Sequence, residues 1–306
     1  MKRSVIALIL VSLMVTLLPL QALALKPEDI EPPLTAAPVN YLNLGDSIAN
    51  GWSADKGQSY FDLFSDYKRV GPSVDLSVPG ATTGDLLDAL ETHRYQNAIR
   101  QADVVIISVG GNNLLQPIQD RVQAYFSAAG LQPDLMEPEE IQAAIEAIAL
   151  ARSMTPEAVW TEMANTLIME AATPGQPLNT ALAYGAATFM SEWGQIGATV
   201  RTLNPDARLI ALTLYNPFEF ATVLYGLFET LAPAMNGVLW AWSAQEDCDL
   251  ADVYSAFQPA PDAVAFSLSW GTVNLNIHPT TTGHSIIFNE LASLGTVDEF
   301  QPPKAS

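Results

Sequence analysis

Three short segments of this chain carry residue types that can attack an ester carbonyl. Gly45-Asp46-Ser47-Ile48 lies near the N-terminus, Gly110-Gly111-Asn112-Asn113 in the middle and His278-Pro279 near the end. A serine in a Gly-Asp-Ser turn can expose its hydroxyl, and its own N–H can face a developing oxyanion. Asn112 supplies an amide N–H donor beside two glycines that let the backbone approach a ligand closely. Each feature alone has a plainer explanation. Ser and Asp commonly cap strand-to-helix junctions, and Gly-Gly-Asn suits an ordinary turn. A serine nucleophile needs a general base, and the chain has 3 histidines, His93, His278 and His284. His93, among Glu91, Thr92 and Arg94, reads as a solvated residue in mid-helix. His284 falls one turn into a predicted helix, where packing or a local hydrogen bond accounts for it. His278 precedes Pro279 at a loop-to-helix junction, where the backbone is held extended, and is the preferred base.

These residues need elements to hold them. Val39–Leu44, Val74–Val78, Asp103–Val109 and Arg208–Leu214 read as strands. The Val104-Val105-Ile106-Ile107 run suits a strand buried on both faces. Tyr60–Tyr67 reads as a helix. Thr83–Arg100 does too, with Leu86, Leu87, Leu90 and Ile99 at helical spacing and a cap at Thr82 or Thr83. Strands alternating with helices predict a parallel sheet with helices on both faces. Between Leu115 and Asn204 the pattern changes to helices alone. Ile141, Ile145 and Ile148 share a face, as do Val159, Met163 and Leu167 behind Thr155-Pro156, a good helix start. Ala198–Leu203 continues the helical reading. This block is longer than one crossover needs and is expected to be an inserted helical region, about 115–204. Phe218–Trp242 is a further apolar helix, in which Glu219 and Glu229 argue against membrane spanning. Its Met and aromatic residues suit a core better than a binding surface. A last helix follows Thr281, with Ile287, Leu291 and Leu294 on one face and Gly295 as its stop.

Composition narrows the function classes. The N-terminus joins Lys2 and Arg3 to an apolar Val5–Leu20 stretch and a small-x-small Ala22-Leu23-Ala24 site, the pattern of a secretory signal peptide over 1–24. Secretion, extracellular or periplasmic, is the expected destination. Residues 25–38, with Pro27, Pro32, Pro33 and Pro38, form an extended lead-in. A single folded domain is expected over 39–297, with a short tail at 298–306. The net charge is −20, and losing Lys2 and Arg3 with the leader makes it more negative still. There is no basic stripe, which excludes nucleic acid and electrostatic adhesion to anionic headgroups. Cys248 is the only cysteine, so an intrachain disulfide, thiol redox pairs and zinc ribbons are excluded. The chain has no Gly-x-Ser-x-Gly elbow, no phosphate-binding glycine loop and no His–Glu zinc helix. No metal or organic cofactor is expected.

Taken in order, these segments resemble the SGNH, or GDSL-type, superfamily of esterases and lipases, whose signature blocks carry Ser, Gly, Asn and His. The first block matches Gly45-Asp46-Ser47, with Ile48 in place of the usual Leu. The second matches Gly80 within Val78-Pro79-Gly80-Ala81. The third matches Gly110-Gly111-Asn112, with Asn113 where Asp is usual, and the last matches His278-Pro279. The resemblance spans about Val39–Leu294. It implies a three-layer α/β/α, flavodoxin-like fold around a central parallel sheet. It further implies Ser47 as nucleophile, His278 as base, and an oxyanion hole made by the N–H groups of Ser47 and Gly80 with the Asn112 side chain.

One departure stands out. The family usually has Asp three residues before the catalytic histidine, and here that position is Leu275. A backbone carbonyl of the Gly271–Asn276 loop, or the Asn276 or Asn274 side chain, is expected to orient the ring instead. If the loop follows the family geometry, Leu275→Asp should preserve or raise the rate. The resulting expectation is a secreted serine esterase or lipase acting on a small-molecule or lipid ester, with lipid-like acyl groups favoured by the extra apolar helices. A carbohydrate O-acetyl esterase, and a degenerate domain that only binds cell-wall glycan or lipid, remain the alternatives.

Overall fold

The computed structural model describes residues 39–68, 72–218, 223–266 and 274–295. The leader, the lead-in, the C-terminal tail, Glu219 and positions 271–273 of the predicted loop lie outside the described residues. Five strands, β1 (Tyr41–Gly45), β2 (Ser73–Asp75), β3 (Val104–Ser108), β4 (Arg208–Leu212) and β5 (Asp249–Ala251), form one sheet in the order β2-β1-β3-β4-β5. Every pairing is parallel, with Tyr41 opposite Val104, Val104 opposite Arg208 and Ile210 opposite Asp249. All residues of β1 and β3 are buried, as expected of central parallel strands covered on both faces. Alternation along the strands divides the core in two. Leu42, Leu44, Val105, Ile107, Leu209 and Ala211 face one side. Tyr41, Val104, Ile106, Ile210, Leu212 and Ala251 face the other.

The helices are α1 (Tyr60–Lys68), α2 (Thr83–Leu90), α3 (His93–Gln101), α4 (Asn112–Ala128), α5 (Pro138–Arg152), α6 (Pro156–Ala172), α7 (Pro177–Leu203), α8 (Val223–Glu246), α9 (Val253–Phe257) and α10 (Thr281–Ser293). Tyr60 and Phe64 of α1, Phe257 of α9 and Ile287, Phe288 and Leu291 of α10 pack on the second face. The first face takes α2 to α8, through residues such as Leu86, Phe126, Ile145, Met163, Phe189 and Met235. The architecture is therefore three-layered, α/β/α, with very unequal outer layers. The helices α4 to α7 run uninterrupted between β3 and β4, and α7 packs on α2, α4, α6 and α8.

Local chemistry explains several boundaries. Thr82 caps α2 in a reciprocal capping box with Asp85, and Thr155 caps α6 ahead of Pro156. Where one helix is expected over Thr83–Arg100, there are two. The Thr92 N–H and hydroxyl both turn back onto the Ala89 carbonyl and end the first helix. His93 thus opens α3 on the surface and does not sit in mid-helix. The strand β2 is shorter than Val74–Val78, because it is a solvent-facing edge. Only the end of α7 shows clear periodicity, since its many small residues blur the apolar stripe. Three-residue β5 has no sequence signal at all; an Arg208–Asp249 ion pair ties it to β4. Among the described residues, no helix is long and apolar enough to cross a membrane.

Candidate active site

The loops leaving the C-terminal ends of the interior strands β1 and β3 meet at the carboxyl end of the sheet, where open α/β sheets hold their sites. Past Gly45 the chain turns sharply. The Asp46 N–H donates to the Ser108 carbonyl at the end of β3 (3.1 Å), and its carboxyl accepts the Ile48 N–H (2.9 Å). The residues after Ser47 do not begin a helix. They form successive turns, closed by Trp52 N–H on the Ser47 carbonyl (3.0 Å). Asp46 is buried, and burial raises its carboxyl to about 7 against the pull of backbone N–H groups.

His278 arrives from the far end of the chain. Its Nε2 lies 2.7 Å from the Ser47 hydroxyl, and its Nδ1 lies 2.7 Å from Oδ1 of Asn276. An amide oxygen only accepts, so Nδ1 carries the proton and Nε2 presents its lone pair to Ser47. The His278 backbone N–H also donates to Oδ1 of Asn276 (3.1 Å). Asn274 does not meet the ring; its Oδ1 accepts the Asn276 N–H (2.9 Å) and so braces the ring's partner. The ring of Trp52 packs against His278 at 5.2 Å between centroids. Burial, with a smaller contribution from nearby His284, lowers His278 to about 4. His284 is fully enclosed, with Nδ1 facing the Tyr60 N–H (3.3 Å) and Nε2 facing the Trp52 carbonyl (3.1 Å).

The donors lie opposite. Asn112 starts α4, and its Nδ2 gives one N–H to the Ala81 carbonyl (3.0 Å), tying α4 to the Gly80 loop and leaving the other N–H. Gly80 takes φ of +82°, a left-handed conformation that side chains other than glycine strain to reach. Among the described residues, the N–H groups of Ser47 and Gly80 donate to no protein acceptor. Asn113 latches the same loop from beneath. Its Oδ1 accepts the Thr83 N–H (3.1 Å) and its Nδ2 donates to the Thr83 hydroxyl (2.8 Å), which in turn donates to Glu192 of α7 (2.5 Å). Glu192, Trp52 and Ser53, and the contacts of Thr83 beyond its place at a helix start, escape sequence reasoning, since Thr83 meets Asn113 and Glu192, Trp52 meets His278 and His284, and Ser53 meets Asn276, all remote in the chain.

Leu275 behaves unlike a lost acid. With Ile277 it lines an apolar cavity of about 250 Å³, walled by Leu115, Ile118 and Val122 of α4 and by Trp160, Met163 and Leu167 of α6. In this extended segment positions 275 and 277 face the cavity, while Asn276 and His278 face Ser53 and Ser47. Position 275 thus lines the cavity while Asn276 already meets the ring, and the ground for expecting Leu275→Asp to help is gone. A second, more polar pocket of about 420 Å³ opens beside Gly80, lined by Asp85, Tyr95 and Gln116. Among the described residues, no group of three His, Cys, Asp or Glu side chains is placed to hold a metal ion.

Comparison with known proteins gives the following. The model of the GDSL-like Lipase/Acylhydrolase family matches residues 44–286. An uncharacterized protein of Bacillus subtilis (strain 168), YpmR, is 22% identical over 258 residues, covering 80% of this chain and 76% of that protein. Among solved structures, phospholipase A1 from Streptomyces albidoflavus NA297 superposes with a TM-score of 0.54 at 16% identity, over 85% of this chain and 100% of its own. The lipase Lip_vut3 from a goat rumen metagenome gives 0.53 at 16% identity, over 84% and 97%. At such identities these two structures share the fold.

Proposed function

The chain belongs to the GDSL-like Lipase/Acylhydrolase family, and from that premise we propose that it is an exported serine hydrolase cleaving carboxylic esters with lipid-like acyl groups. One observation carries the reading: the Ser47 hydroxyl sits 2.7 Å from His278 Nε2 while Asn276 holds the other ring nitrogen at 2.7 Å. Nε2 takes the hydroxyl proton as Oγ attacks the carbonyl carbon. The developing oxyanion is met by the N–H groups of Ser47 and Gly80 and the free Nδ2–H of Asn112. Collapse breaks the bond to the alkoxy oxygen, which leaves with the proton from Nε2. Water, deprotonated by the same nitrogen, then releases the acid and restores Ser47. Asn276 is neutral, so it steadies the imidazolium less than a carboxylate would.

The acyl preference rests on the cavity behind Leu275 and Ile277, whose lining is apolar apart from Gln119. Each methylene buried there is worth about 0.8 kcal/mol, so kcat/KM should climb with acyl length and then level off when the cavity is full. An O-acetyl esterase would show the reverse, with acetyl preferred. Export follows from the leader pattern at 1–24. The deciding experiment is labelling with a fluorophosphonate probe alongside hydrolysis of p-nitrophenyl esters from acetate to palmitate. Ser47→Ala should abolish labelling, and Ser47→Ala or His278→Ala should each cost at least about 10³-fold in kcat. An unaltered protein that neither labels nor hydrolyses any ester in the series would overturn the proposal.

A further inference from the structure

Ser47 and His278 stand 231 positions apart in the chain, on segments that share no strand or helix. Their 2.7 Å contact therefore depends on what fastens the turn after Ser47 to the helix after His278. That turn leads to the start of α1 at Tyr60, and α10 begins just past the base at Thr281. At the start of α10 the Thr281 hydroxyl accepts the Asp55 N–H (3.0 Å). One turn further along, fully buried, His284 faces both ends of the same stretch of chain.

The two groups that meet His284 leave it one arrangement. Its Nδ1 lies 3.3 Å from the Tyr60 N–H, the first of α1, which no carbonyl within the helix can accept. Its Nε2 lies 3.1 Å from the Trp52 carbonyl. A peptide N–H only donates and a carbonyl only accepts. Nδ1 must be bare and Nε2 must carry the proton, the reverse of the tautomer in His278. Turning the ring over would set its carbons against both groups and leave a buried N–H and a buried carbonyl unpaired. The Tyr60 ring stacks on the imidazole, 6.0 Å between centroids at 23°. Burial lowers the pKa of His284, against smaller pulls from the Trp52 carbonyl and Asp62 of α1, so the ring is neutral near pH 7. From Trp52 the Ser47–His278 pair is reached directly. The Trp52 N–H donates to the Ser47 carbonyl (3.0 Å), and the Trp52 ring packs on His278.

We infer that His284 is a positioning residue: as the Nε2–H tautomer it clamps the Ser47 turn to α10 and so sets the distance between the Ser47 hydroxyl and Nε2 of His278. This inference rests on the serine-hydrolase reading given above.

The test combines a substrate-free readout with kinetics on the full chain. Histidine-selective ¹⁵N NMR near neutral pH, with His284 assigned by loss of its signals in His284→Gln, should show the Nε2–H form. Against p-nitrophenyl octanoate, His284→Leu should lose about 10- to 100-fold in kcat with KM within about threefold, the cost of a misplaced reacting pair. Glutamine offers one acceptor and one donor to the same two backbone groups, so His284→Gln should recover kcat to within about threefold of the unaltered protein. In the His278→Ala background no serine–histidine distance remains to be set, and His284→Leu should cost less than about twofold of the residual rate. A role in stability alone would cost the same in both backgrounds. An Nδ1–H form of His284, an equal loss in both backgrounds, or a His284→Gln protein as slow as His284→Leu would overturn the inference. Should His284→Leu not fold, the tautomer of the unaltered protein and the rate of His284→Gln decide. A protein inert to every ester, with His284 in the Nε2–H form, would count against the hydrolase reading alone; an active protein with His284 in the Nδ1–H form would count against the clamp alone.

Discussion

The neutral partner of His278 has a measurable signature. A carboxylate at position 276 would favour the imidazolium, raising the His278 pKa from about 4. In the unaltered protein the His278 ring stays unprotonated well into acid, so with His278 as the proposed base the acid limb of kcat/KM should fall below pH 5. Asn276→Asp should move that midpoint up by about 1–2 pH units and raise kcat at neutral pH; identical pH–rate profiles for the two proteins would contradict the assignment of Asn276. Leu275 is expected to behave oppositely. Its side chain lines the apolar cavity and Nδ1 is already occupied, so Leu275→Asp places a charge in that lining without reaching the ring. Hydrolysis of decanoyl esters should drop by at least about tenfold, and of acetyl esters much less. A chain-length panel on this variant checks it.

Among the elements, α7 decides how firmly the start of α4 and the Gly80 loop, the proposed oxyanion side, are held. A Cβ built on Gly185 of α7 would lie 1.8 Å from the Asn113 carbonyl oxygen, and this neighbour is backbone that cannot rotate away. The close approach lets Glu192, further along α7, reach the Thr83 hydroxyl, while Asn113 grips Thr83 from α4. Gly185→Ala should force the two helices apart, costing about 1–3 kcal/mol. It should lower Tm by several degrees and kcat more than KM, because Asn112 and the Gly80 loop lose their common support. Thermal melts and steady-state kinetics on the variant test both halves. Full stability with unchanged kcat would mean that the α4–α7 contact is irrelevant to the site.

For the molecule as a whole, buried ionisable groups set opposing pH dependences. His278 and His284 are lowered by burial, His278 to about 4. Their contribution is present above the unfolded value of about 6.5 and is lost as pH falls below it, for His278 down to about 4, because the unfolded chain takes up the protons first. Asp46 is raised from 3.8 to about 7. Its contribution is present below the unfolded pKa and is lost as pH rises through 7, because the folded chain then holds the extra proton. Between roughly pH 4 and 6.5 the two slopes oppose each other. Asp46→Asn removes one of them, so Tm should fall more steeply on acidification than in the unaltered protein. Parallel Tm–pH curves would show that Asp46 is not protonated in the fold.

Much of this architecture is written in local patterns. The β-branched run at Val104–Ile107 could pack nowhere but between two layers, and it forms β3 at the centre of the sheet. Thr82, Thr155 and Pro156 mark helix starts because capping and fixed φ act within a few residues. The order of the Ser47, Gly80, Asn112 and His278 segments was legible for the same reason, each being a short turn beside an apolar run. The sequence also narrowed the partner of His278 to the loop before it, through the leucine at 275 and the asparagines at 274 and 276. Only the tertiary structure decided among them. Alternation in an extended backbone sends 275 and 277 to the cavity and 276 and 278 to the site, and that direction depends on how the chain enters from residues far upstream. The same holds for Ser53 on Asn276, Glu192 on Thr83 and β5 on β4. Each joins segments well separated along the chain, where periodicity carries no information and the path of the whole backbone sets who meets whom.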